Sequence, residues 1–144
     1  AGGAEEQTGA LLGEIGGLYG EMVQLHDDIN DVLETPANPD WTTGRSPLPI
    51  LFAQHVAHPE RERFRQLRAR IPAPGALDEA QRILVRCGAI SYAMHCLLQR
   101  YAQAEGRVAE LNLPQQSLLV DLLQEVVAPI DALFAQVGQE AIAV

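Results

Sequence analysis

Three features of this sequence predict an all-helical fold. Apolar residues recur at three- and four-residue spacing over long stretches, no stretch alternates apolar and polar residues with the period of a strand, and most prolines fall between the periodic stretches. The 144 residues are enough for one domain with its own core, and a composition that is 47% apolar and 20% charged is that of an ordinary globular chain. Residues 1–144 therefore read as a single helical domain.

Residues 1–7 are small and polar, the character of a frayed end. From Thr8 onward Leu11, Leu12, Ile15, Leu18, Tyr19, Met22, Val23, Leu25, Ile29, Val32 and Leu33 supply the apolar positions of a first helix, which Pro36 and Pro39 end. Residues 35–48 hold prolines, Trp41 and Gly44, which is loop chemistry. A short helix is predicted over 49–55. His58 reads as a cap and Pro59 as the first residue of the next helix, which runs to about 70. The Pro- and Gly-containing segment 71–76 is a linker, and a long helix over 77–111 follows, with Asp78 and Glu79 well placed in its first turn. Asn112 and Pro114 break it, and a last helix covers 115–136 with Pro129 inside. Tyr92, Tyr101 and Phe134 fall at helical positions expected to be core.

The formal net charge is -9, which argues against nucleic acid as a partner, because phosphate backbones need a basic surface. All ten basic side chains are arginine. Without a lysine amine, Schiff-base chemistry and a phosphate-cradling P-loop are excluded. Cys87 and Cys96 lie nine residues apart in what reads as one helix, on opposite faces roughly 13 Å apart along the axis. They are expected to be free, small hydrophobes, buried or half-buried. No leader and no membrane-length apolar run is found, so a cytoplasmic protein is expected. Ser91 and His95 carry no nucleophile signature, and His55 and His58 suit a helix boundary better than a metal. The arginines at 61, 63, 65, 68 and 70 interleave with Glu60 and Glu62 and read as a solvated helix face.

Gly13, Gly16, Gly17 and Gly20 line one face of the first helix, and that face runs on through Gln24 into Asp27, Asp28 and Asp31. Each interior glycine costs up to ~1 kcal/mol relative to alanine, so the stripe implies close approach of another helix or room for a ligand. The carboxylates are one turn or less apart. Like charges at such spacing destabilise a helix by ~0.2–0.5 kcal/mol per pair, and the helix C-terminus disfavours them further. A hard, oxygen-seeking cation such as magnesium would reverse each of these penalties.

At these residues the chain resembles the trans-isoprenyl diphosphate synthase (polyprenyl synthetase) family. That family carries a helix with the pattern G-x-x-x-Q-x-x-D-D-x-x-D, matched here by Gly20, Gln24, Asp27, Asp28 and Asp31. A loop with the pattern D-x-x-x-G-K-x-x-L-P follows, matched by Asp40, Gly44, Arg45, Leu48 and Pro49, with arginine in place of the lysine. The resemblance implies a helical bundle like the C-terminal half of the isoprenoid synthase fold. It also implies Asp27, Asp28 and Asp31 as ligands of Mg2+, directly or through water, with Gln24 and Arg45 as contacts to substrate diphosphate. The substrates implied are an allylic prenyl diphosphate and isopentenyl diphosphate, joined by prenyl transfer. Arginine presents a planar fork where lysine has a compact ammonium.

What corresponds to the family's N-terminal half, with its own Asp-Asp-x-x-Asp motif, is not in this sequence. Prenyl transfer is therefore expected only once that half or a companion subunit completes the site; an oligomer is expected, and the chain alone is expected to be inactive. The alternative is a non-catalytic helical partner subunit or a degenerate family member. A terpene cyclase fits worst, since its second metal motif needs serine or threonine where Asp31 stands.

Overall fold

The computed structural model describes residues 2–142. They form α1 (Gly2–Leu33), a 3-10 turn (Pro39–Trp41), α2 (Leu48–His55), α3 (Arg61–Arg70), α4 (Ala76–Arg86), α5 (Ala89–Glu110) and α6 (Gln116–Ile142). The described residues contain no strand, so the fold is all-α as the periodicity predicts. No helix among them is long and apolar enough to cross a membrane.

Helix boundaries follow local chemistry. α1 begins at Gly2, ahead of the Thr8 start that the sequence suggests, and Thr8 Oγ1 donates back to the carbonyl of Ala4 at 2.9 Å. It ends at Leu33, just before Thr35, whose helical conformation the ring of Pro36 disfavours. Pro47 and Pro49 open α2, where a missing N–H does no harm. α3 starts at Arg61, two residues later than Pro59. His58 does not cap it; its Nε2 donates to the carbonyl of Ala53 at 2.8 Å, at the end of α2.

The long helix expected over 77–111 is two helices. Gly88 breaks it at φ +86°, a left-handed conformation open to glycine. The N–H groups of Cys87 and Gly88 turn back to the carbonyls of Ile83 and Val85, at 2.8 and 3.1 Å, closing α4 in the manner of a glycine C-cap. Cys87 and Cys96 thus lie outside one continuous helix, and the reasoning from opposite faces lapses. Both are free and half-buried, and burial pushes the Cys87 thiol up. α6 runs through Pro129 without ending there. The Phe134 side chain lies outside the described residues.

The chain divides into two compact units, one joining Ala1–Gln24 with Cys96–Val144 and the other formed by Leu25–His95. In the first, Leu11, Ile15 and Met22 of α1 pack with Ala104 and Val108 of α5, Leu111, and Leu123 of α6, with Tyr101 against the same cluster. Glu14–Arg107 and Glu21–Arg100 ion pairs tie α1 to α5 in this unit. In the second, Trp41, Ile50, Phe64, Ile83, Leu84, Ile90 and Met94 are fully buried. The rings of Trp41 and Phe64 lie 6.0 Å apart. Arg86 on α4 reaches Glu60 at 2.7 Å and Glu79 at 2.9 Å, and the hydrogen bond from Arg86 holds the Glu60 carboxyl below its usual range. Tyr92 is not core: it is 45% exposed, with its ring 5.1 Å from that of Phe52.

Among the described residues no helix packs closely on the glycine stripe. A Cβ built on Gly13, Gly16, Gly17 or Gly20 meets nothing within 4 Å, so close approach is not the reason for these residues. Two substitutions should therefore move stability in opposite directions. Gly16→Ala should stabilise the chain by ~0.5–1 kcal/mol, because open space surrounds an interior helical position. Gly88→Ala should destabilise it by ~1–2 kcal/mol, because alanine resists the left-handed conformation. Urea unfolding measures both, and a common sign would contradict the assignment.

Candidate functional site

Asp27, Asp28 and Asp31 occupy the last turns of α1, in the second compact unit. Ile29 and Val32 are buried and fix which face of this segment points inward. Asp27, on the other side, keeps 63% of its side-chain surface exposed, with His26 Nδ1 3.6 Å from its Oδ1. Asp28 lies at the inner edge and is only 7% exposed.

Asp28 is committed at both oxygens. Its Oδ2 accepts the backbone N–H of Leu48 at 3.0 Å, and its Oδ1 lies 3.9 Å from Arg45 Nη2. Leu48 is the first residue of α2, so that N–H has no partner within its own helix. Asp28 thus does for α2 what an N-cap side chain does, but from another helix, and its charge suits the positive end of the α2 dipole.

The loop brings a further carboxylate. Asn38 Oδ1 accepts the N–H of Asp40 at 3.0 Å and starts the 3-10 turn that buries Trp41. Asp40 Oδ2 lies 3.8 Å from Arg45 Nε. Arg45 therefore stands between Asp28 and Asp40 at ion-pair distance, with its side chain 64% exposed. Asp31 has neither a hydrogen bond nor an ion pair among the described residues. Burial pushes its carboxyl up, and the negative charges of Glu34, Asp40, Asp27 and Asp28 push it the same way. Gln24 is exposed and falls in the first compact unit.

Among the described residues, no three His, Cys, Asp or Glu side chains gather closely enough to hold a metal ion by themselves. Magnesium does not need such a cage: it commonly takes one or two carboxylates and completes its shell with water and substrate phosphate. Oxygen donors of the required hardness are present, and Asp27 and Asp31, one turn apart, are the two not tied to α2. Asp40 and Glu34 are the contributors that the helix motif did not supply. Asp40 is visible in the loop motif, but only the folded loop shows that its charge reaches Asp31. A hollow of about 310 Å³ lies elsewhere, lined by Leu12, Leu113, Pro114, Gln115, Leu118 and Leu119 of the first unit.

The two neighbouring aspartates should separate in stability measurements. Asp28→Ala strands the Leu48 N–H and should cost about 1–3 kcal/mol, whereas Asp27→Ala should stay within about 0.5 kcal/mol of the parent. Asp31 adds a pH dependence. Its folded-state pKa is raised, so the folded chain binds the proton more tightly than the unfolded chain does. Its contribution therefore turns unfavourable as pH rises from the ordinary value of 3.8 through the raised one. Asp31→Asn should be more stable than the parent at pH 7, and the difference should vanish below the ordinary aspartate pKa. Urea midpoints across pH 3–7 measure this, and a pH-independent difference would contradict it.

Comparison of the chain with protein-family models, with curated proteins and with solved structures returns no match.

Proposed function

We propose that this chain is the C-terminal, magnesium-binding part of a prenyltransferase resembling the isoprenyl diphosphate synthases, and that it binds the diphosphate of an allylic substrate. One observation carries this reading: Asp31 lies among the charges of Glu34, Asp40, Asp27 and Asp28 with no basic partner among the described residues. That repulsion is unfavourable in the free protein, and a divalent cation offsets it. Magnesium bound there would act as a Lewis acid toward the leaving diphosphate.

The protein groups divide the remaining work. Asp27 and Asp31 hold the cation. Asp28 belongs to the same motif and fixes the N-terminus of α2, so its part is to keep the loop seated beside the metal ligands. Arg45, exposed and paired only loosely with Asp28 and Asp40, is free to turn its fork onto phosphate oxygens. Isopentenyl diphosphate and prenyl transfer itself require the N-terminal half or a companion subunit. A non-catalytic partner subunit is the second reading.

Titration calorimetry with inorganic pyrophosphate separates the two. Binding should require magnesium and should weaken by about tenfold or more in Asp27→Ala/Asp31→Ala, as expected when an uncompensated charge pair is removed from an anion-metal site. Equal affinity with and without magnesium, or an unaffected double variant, would remove the metal-diphosphate reading and leave the partner subunit.

A further inference from the structure

Arg68, which reads in the sequence as one of several solvated arginines on α3, is drawn partly out of solvent in the fold. It is half-buried. Its Nε donates to the carbonyl of Trp41 at 3.1 Å, and its Nη2 donates to Ser46 Oγ at 3.1 Å. Arg63, Arg82 and Arg86 of the same unit all pair with carboxylates. Arg68 pairs with none among the described residues, and burial lowers its pKa with no negative charge to offset the loss of water. Removing a guanidinium from water without a counter-ion is unfavourable, so its two neutral acceptors are a specific arrangement and not a general charge pairing.

Those acceptors bracket the short segment 42–45, which ends at Arg45. We propose that Arg68 is a positioning residue for the candidate site, its fork holding the loop at Trp41 and Ser46 so that Arg45 is presented between Asp28 and Asp40. This rests on the diphosphate-binding reading above. With Asp28 gripping the loop at Leu48, the segment is held at three points: Trp41, Ser46 and Leu48. The planar fork matters, because a single lysine ammonium lacks the spaced donors that reach two acceptors five residues apart.

The full-length chain tests this through Trp41, its single tryptophan, which sits at the held loop. In Arg68→Ala, amide hydrogen exchange over 42–46 and acrylamide quenching of Trp41 should both rise, while exchange in α5 stays at the parent rate. Affinity for inorganic pyrophosphate with magnesium should fall about tenfold, the scale of a lost charge-assisted hydrogen-bond pair. Arg68→Lys should behave like Arg68→Ala, and Ser46→Ala, the milder change, should lie between these variants and the parent. Unchanged loop exchange in Arg68→Ala, a uniform rise across all helices, or full rescue of pyrophosphate binding by Arg68→Lys would each overturn the proposal. A parent chain that binds no pyrophosphate with magnesium would instead remove the diphosphate reading. Arg68 would then hold a loop that serves no such site, which also overturns the proposal. A parent that binds, with Arg68→Ala binding equally well, removes the positioning role alone.

Discussion

Repulsion among carboxylates at the end of α1 is the constraint around which the second unit is arranged. Asp27, Asp28 and Asp31 sit near the negative end of a helix dipole, with Asp40 and Glu34 close enough to add their charge. One of the five is neutralised structurally: Asp28 is turned inward and bonded to the first N–H of α2. Arg45 lies 3.9 and 3.8 Å from Asp28 and Asp40, with its side chain exposed. Asp31 receives no such relief. At Asp31 the repulsion is a stability cost, because nothing among the described residues pairs with its charge.

The loop between α1 and α2 is then best understood as a held element and not a passive connection. Trp41 is buried against Phe64 and anchors it in the core. Asp28 and Arg68 hold its flanks through backbone and hydroxyl groups. Between these holds Thr42, Thr43, Gly44 and Arg45 stay exposed. Fixing a loop on both sides of an exposed charged residue lowers the entropic cost of the contacts that residue makes.

Much of this was legible in the sequence where periodicity or a motif carried it. The apolar spacing of α1, the proline-rich loop, and the pairing of the aspartate helix with the Asp40–Arg45 loop all stand out in one dimension. The break at Gly88 did not, because a lone glycine inside a continuous helical pattern is usually tolerated; its positive φ is a tertiary outcome. The α3 start was misplaced because His58 is drawn to the end of α2. Likewise the motif treats Asp28 as equivalent to its neighbours. Only the fold shows that the inward face defined by Ile29 and Val32 takes Asp28 with it, and that Arg68 turns from solvent to the loop. The glycine stripe signalled bare surface, but not whether a helix covers it.

The most direct measurement is the pKa of the Asp31 carboxyl, followed by carbon-detected NMR in the whole chain, first without and then with saturating magnesium. A divalent ion among these acids should bring the raised value down below the ordinary aspartate range, since the cation favours the ionised form. A value that stays raised in magnesium, or falls equally with sodium at matched ionic strength, would contradict a specific cation site at the end of α1.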